Sequence, residues 1–151
     1  PRRTLAQAGL RPGHTVLDFG CGPGSYTLAA ATMVGPEGTV YAVDRNPIAV
    51  QHVRNRADRK GLPNVRVIHT DCDTGLSDGS VDLAVLYDVC HELDEPDRVN
   101  KELRRVLKPN GRLSVSDHHL KKASILSAFV GDGLFRLEAE QDRTYTFRPD
   151  S

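Results

Sequence analysis

Three carboxylates and one glycine-rich loop stand where short β-rich runs end in this 151-residue sequence. Asp18 lies in Thr15-Val16-Leu17-Asp18-Phe19, just ahead of Gly20-Cys21-Gly22-Pro23-Gly24. Asp44 closes Thr39-Val40-Tyr41-Ala42-Val43, and Asp71 follows Val65-Arg66-Val67-Ile68-His69. Glycines in such a loop let the backbone turn sharply and leave room for a ligand. The helix that follows offers free N–H groups to an anion. On its own the loop is no more than a tight strand-to-helix turn, but its place between a strand and a helix, with Asp18 beside it, favours a ligand site. Asp44 comes roughly 20 residues beyond the loop, where a carboxylate accepts both ribose hydroxyls of an adenosyl group. The plainer alternative for Asp44 is a turn aspartate or helix cap. For Asp71 it is ordinary turn chemistry within Asp71-Cys72-Asp73-Thr74-Gly75.

A second set of polar residues follows the fourth apolar run. Asp88 and His91 are candidates for the lining of an acceptor pocket, His91 as a general base near neutral pH and Asp88 orienting it or the acceptor. The competing reading is a polar helix start. His118-His119 invites a metal-linked or substrate-facing role, but adjacent strand residues point to opposite faces, so no metal site is expected. Cys72 and Cys90 read as small buried hydrophobes, and no thiol or metalloid site is expected at Cys21, Cys72 and Cys90. Arg54, Arg56, Arg59 and Lys60 read as a solvated helix face.

Strands must alternate with helices to put these residues at one edge. The helix over Tyr26 to Val34 is small and apolar. Asn46 caps the next helix, with Pro47 in its first turn and Ile48, Ala49, Val50, Val53 and Ala57 as its buried stripe; Gly61 stops it. Val81 to Tyr87 is apolar almost throughout, as a central strand is. Pro96 opens a helix that carries Arg104, Arg105 and Lys108 in its last turns and ends at Pro109-Asn110-Gly111. Arg112 to Ser116 is a fifth strand and Ala123–Val130 a short helix. Leu134–Ala139 and Thr144–Arg148 form a hairpin around Gln141-Asp142. Ligands of such an open sheet sit at the carboxyl ends of its strands.

Composition narrows the classes. Apolar residues make up 38%, and twenty Lys and Arg balance twenty Asp and Glu, so no net field draws in nucleic acid or an anionic membrane. No apolar run approaches the length of a membrane span, and Pro1–Gly9 is no signal peptide. Three cysteines without CxxC spacing argue against a disulfide framework or zinc ribbon, which fits a reduced, cytoplasmic compartment. A start at Pro1 fits either loss of an initiator methionine or a longer parent chain.

Taken together, Asp18 to Gly24, Val40 to Asp44 and Asp71-Cys72 resemble the class I S-adenosylmethionine-dependent methyltransferases. Asp78-Gly79-Ser80-Val81-Asp82-Leu83 and Arg105-Val106-Leu107-Lys108-Pro109-Asn110-Gly111 match two more signatures of that family. The likeness runs from Leu10 to Arg148 and is nearest to the small-molecule branch that holds the quinone-biosynthesis enzymes. It implies one domain over residues 1–151, a Rossmann-like, doubly wound α/β fold. The sheet would have seven strands, mostly parallel, in the order 3-2-1-4-5-7-6, with a C-terminal antiparallel hairpin. It implies S-adenosyl-L-methionine as cofactor, S-adenosyl-L-homocysteine as product, and in-line attack of an acceptor on the sulfonium methyl. Asp18, Gly20, Cys21, Gly22 and Gly24 would hold the methionine part, Asp44 the ribose with Arg45 beside it, and Asp71 and the Cys72 backbone the adenine. Tyr87 would lie beside the methionyl amine and the methyl group, and with Asp88 and His91 it completes the catalytic candidates. A small molecule is the expected acceptor, with RNA or protein as alternatives. Within this sequence only Arg2 to Ala8 precede the first strand, and Asp117 to Gly133 is short, so the substrate side departs from many relatives. A non-catalytic adenosyl-binding module is the alternative function. A nicotinamide-linked oxidoreductase fits less well, because Ser25 stands where the third glycine of its fingerprint belongs.

Overall fold

The computed structural model describes residues 1–150. Its chain order is α1 (Arg2–Gln7), β1 (Thr15–Phe19), α2 (Ser25–Val34), β2 (Thr39–Asp44), α3 (Pro47–Arg59), β3 (Val65–His69) and β4 (Val81–Tyr87). A single 3-10 turn at Cys90–Glu92 then leads to α4 (Pro96–Val106), β5 (Leu107–Ser116), α5 (Lys122–Val130), β6 (Phe135–Gln141) and β7 (Thr144–Pro149). The sheet order is β3-β2-β1-β4-β5-β7-β6, as the family resemblance implies. The first five strands in that row are parallel, and β7 runs antiparallel to both β5 and β6.

Period-two alternation sorts the apolar residues into two layers. Val16, Val40, Leu83 and Val85 face Leu5, Ala30, Ala31 and Val34 of α1 and α2. Leu17, Ala84 and Leu86 face the other way, onto Val99, Leu103 and Val106 of α4 and Ile125 and Phe129 of α5. With β1 and β5 as its neighbours, β4 is buried on both faces, which explains its near-continuous apolar run. Each fully buried Leu or Phe contributes roughly 1.5–3 kcal/mol. Among the described residues, no helix is long and apolar enough to cross a membrane.

Two expectations need correction. Ile48 is 77% exposed, and the buried stripe of α3 is Val50, Val53 and Ala57. The first turn of α3 overhangs the carboxyl edge of the sheet, because Asn46 caps it directly after β2. The helix α4 ends at Val106, before Lys108. Leu107 turns extended and buried to pair with Val81, and pairing resumes only at Leu83–Arg112, so Pro109-Asn110-Gly111 forms an irregularity inside β5 rather than a helix stop. Pro109 disfavours helical backbone at Lys108, whose ammonium instead reaches Asp82 at 2.9 Å. The final hairpin turns on Asp142 and Arg143, both at positive φ, the signature of a two-residue type I′ turn.

Candidate active site

At the carboxyl edge of the sheet, a cleft of about 440 Å³ gathers the ends of β1, β2, β3 and β4, a size typical of ligand pockets. Asp18 is buried beneath it and accepts the Thr27 hydroxyl at 2.7 Å. Burial pushes its carboxyl up to about 6, against the pull of that hydrogen bond. The glycine loop is tethered to β2, since Gly20 and Cys21 both donate to the Val43 carbonyl, at 2.7 and 2.9 Å. Gly20 has φ near 82°, and a Cβ there would run into the Val89 side chain, so the loop and the segment after β4 pack backbone against side chain. A Cβ on Gly22, at φ 51°, would meet no atom within 4 Å, and Gly22 lines the cleft. That open space beside a bare backbone is a cradle for a ligand.

Asp44 reaches back to this loop: one oxygen accepts the Gly22 N–H at 3.0 Å, the other the Asn46 N–H at 2.9 Å. Next to it, Arg45 pairs with Asp94 at 3.1 Å, both residues lining the mouth. Asp71 stands exposed at the rim, while Cys72 is buried and its N–H meets the Thr70 hydroxyl at 3.3 Å. Cys21 and Cys72 line the cleft and Cys90 lies behind it. Burial raises all three thiols, Cys90 to about 12, so they stay protonated at neutral pH. Among the described residues, no group of three or more His, Cys, Asp or Glu is placed to hold a metal ion.

On the β4 side, the Tyr87 ring lies 4.6 Å from that of Tyr26, and its hydroxyl bonds the Ser114 hydroxyl at 2.6 Å. Burial raises that phenol well above its ordinary value, so Tyr87 shapes the cleft and keeps its proton. The next residue, Asp88, adopts positive φ (56°), sparsely populated outside glycine. Its carboxylate does not orient His91, as the sequence suggested. It accepts the N–H and Nδ1 of His118, each at 2.8 Å. His91 is held by Asp117, through Nδ1 at 2.9 Å and its N–H at 3.1 Å. Asp117 also accepts the His119 N–H at 2.9 Å, and its side chain is fully buried. The hydrogen bond to Asp117 raises the His91 pKa, while the His119 ring lies 4.0 Å from that of His91. Two crossed Asp–His pairs thus tie the segment after β4 to the end of β5. Asp88 lines the cleft, whereas His91 sits behind Glu92, with Nε2 3.5 Å from its carboxylate.

Sequence reasoning missed Asp117, Thr27, Tyr26 and the lining residues Thr70, Val89, Glu92, Leu93, Asp94, Glu95 and Val99. The signal for Asp117 was available, since it directly follows the strand adjacent to β4. The contacts of Thr27 and Glu92 depend on how a helix and a short turn fold back, which carries no spacing rule.

The chain matches a family described as a methyltransferase domain over residues 10–145. A SAM-dependent methyltransferase structure from Aquifex aeolicus superposes with a TM-score of 0.86 at 30% identity, covering 97% of this chain and 86% of that one. The ubiquinone/menaquinone biosynthesis C-methyltransferase UbiE of Cupriavidus necator is 35% identical over 74% of this chain and 46% of its own length. An arsenite methyltransferase of Halobacterium salinarum is 34% identical over 74% of this chain and 29% of its own. The chain spans half or less of the length of these two curated relatives.

Proposed function

The chain belongs to the class I S-adenosylmethionine-dependent methyltransferases, and on that premise we propose that it transfers the cofactor's methyl group to a small-molecule acceptor in the cytoplasm, residues 1–151 acting as one domain. The observation that carries the reading is the convergence of Asp18, Asp44, Asp71 and the glycine loop on one cleft. When bound, S-adenosylmethionine supplies an electrophilic methyl on its sulfonium, so the protein's work is positioning and desolvation. Asp18 and the backbone from Gly20 to Gly24 hold the methionine part. Asp44, preset by two backbone donors, would take the ribose hydroxyls, with Arg45 next to it in the cleft lining. Asp71 and the Cys72 backbone would hold the adenine, and the Tyr87 ring would border the methyl group.

On the acceptor side, Asp88 borders the cleft and is fixed by His118. His91, held at Nδ1 by Asp117, lies behind Glu92 rather than in the cleft, so it acts as the proton acceptor through the Glu92 carboxylate that faces its Nε2. Calorimetric titration with S-adenosylmethionine, S-adenosylhomocysteine and NAD tests the cofactor class directly. Binding of both adenosyl sulfur compounds without NAD is the expected outcome, and NAD binding in their place overturns the reading.

A further inference from the structure

The cleft is unevenly charged in a chain whose formal charges cancel. Beyond the three strand-end acids, the stretch from β4 to α4 adds Asp88, Glu92, Asp94 and Glu95 to the lining. Among the described residues Arg45 is the one lysine or arginine there, and Asp94 already engages it. Glu92 meets only the His91 imidazole, at 3.5 Å. The rest of this side is apolar, with Val89, Leu93 and Val99, and includes the close pair of Tyr26 and Tyr87 rings.

A cleft lined by one sign of charge focuses its field on what enters. A carboxylate or phosphate ester would meet four acids and one cation that Asp94 already pairs; with Asp88 engaged by His118 and Glu95 by Arg98, Glu92 is the acid open to an incoming cation. A cation on an apolar body would meet counter-charge, apolar contacts and aromatic faces, the combination that selects ammonium groups. We propose that the acceptor is a small amine carrying an apolar body that binds as its ammonium against Glu92, passes its proton through Glu92 to His91, and then attacks the methyl carbon with the freed lone pair, the C–S bond breaking to leave S-adenosylhomocysteine. This rests on the reading of the cleft as a methyl-transfer site.

The test compares probes of matched shape and different charge. Phenethylamine, benzyl alcohol and phenylacetate form one series; propylamine, propanol and propionate form a smaller one. S-adenosylhomocysteine binding is measured first, by calorimetry, and each probe is then titrated by ligand-observed NMR into the saturated protein. The amine of at least one series binds best and the carboxylate worst. Its affinity falls as salt rises from about 0.1 M to about 1 M, where the screening length shrinks from about 10 Å to about 3 Å. The Glu92 side chain is 58% exposed, so neutralising it leaves the fold intact. Glu92→Gln lowers amine affinity about threefold to fivefold, the scale of a partly exposed ion pair, and leaves alcohol affinity unchanged. Amines that bind no better than their carboxylates, that ignore both salt and Glu92→Gln, or that fail to bind at all overturn the proposal. Failure of S-adenosylhomocysteine itself to bind overturns the cofactor reading instead, before any probe is added.

Discussion

The Asp44 carboxylate accepts the backbone N–H of Gly22 at 3.0 Å, a bond that ties the end of β2 to the middle of the glycine loop. With its second oxygen on the Asn46 N–H, the side chain is aimed before any ligand arrives, and each oxygen retains a lone pair for a ribose hydroxyl. Acid and loop therefore form one binding unit rather than two adjacent motifs.

Asp44→Ala removes both the ribose contact and the tether. Hydrogen bonds to a charged group contribute roughly 1.5–3 kcal/mol each, and about 1.4 kcal/mol is a factor of ten in affinity. S-adenosylmethionine binding weakens tenfold or more in calorimetry, with the circular dichroism spectrum unchanged. An unaltered dissociation constant in the folded variant would remove Asp44 from the site.

Gly20 and Gly22 have different duties and their variants should separate. A Cβ at Gly20 collides with Val89, so Gly20→Ala lowers Tm, and Val89→Ala in the same chain restores part of the loss. A Cβ at Gly22 meets nothing, so the cost to folding is the positive φ alone, roughly 1–2 kcal/mol. Gly22→Val places a branched side chain where the ligand lies and abolishes cofactor binding in a folded protein. Thermal melts and calorimetry on the three variants decide it; normal binding by Gly22→Val reduces the loop to a turn.

The legible parts of this molecule are those set by local chemistry. Alternation at Val16-Leu17 and Leu83 to Leu86 gives strands and both core layers, and the glycine loop and strand-end acids mark one edge of the sheet. Strand order is not a local property, and it came from likeness to a family. Nor could spacing tell which aspartate holds which histidine. Asp88 lies closer in sequence to His91 than Asp117 does, yet β4 and β5 run parallel, so the residue after each strand meets the partner across the seam. Ile48 misled for a related reason, because periodicity says which face a residue shares but not whether anything lies opposite it.

Asp18 ties pH to both stability and binding. Its folded pKa of about 6 lies above the ordinary 3.8, so the folded state keeps a proton the unfolded chain has released. Its contribution is therefore most favourable at low pH and falls as pH rises from about 4 through about 6. Asp18→Asn removes that cost, so its ligand-free Tm exceeds that of the parent at neutral pH, by roughly 2–4 °C for each kcal/mol relieved, and the gap closes below about pH 4. An ammonium brought beside Asp18 lowers its pKa, so cofactor binding near pH 6 releases protons. Titration in two buffers of unequal ionisation enthalpy detects them, and Asp18→Asn should show none; equal release in both proteins places the titrating group elsewhere.

The crossed pairs make a prediction that depends on which aspartate is removed. Hydrogen bonding to Asp117 raises the His91 pKa above 6.5, so the pair's contribution to stability is complete below 6.5 and is lost as pH rises through the folded value. Asp117→Asn brings the His91 titration, followed by NMR, back toward 6.5, whereas Asp88→Asn, which removes only a lesser Coulombic contribution, moves it less and alters the hydrogen bonds of His118 instead. The opposite response would mean that the pairing is uncrossed. With an acceptor in hand the same variant separates positioning from structure. A base acts above its own pKa, so Asp117→Asn moves the acid limb of the methyl-transfer profile to lower pH, and His91→Ala slows transfer by roughly 10²–10⁴ with cofactor affinity kept. Since Asp117 is buried and also holds the His119 N–H, a merely structural loss would lower the rate at every pH without moving that limb.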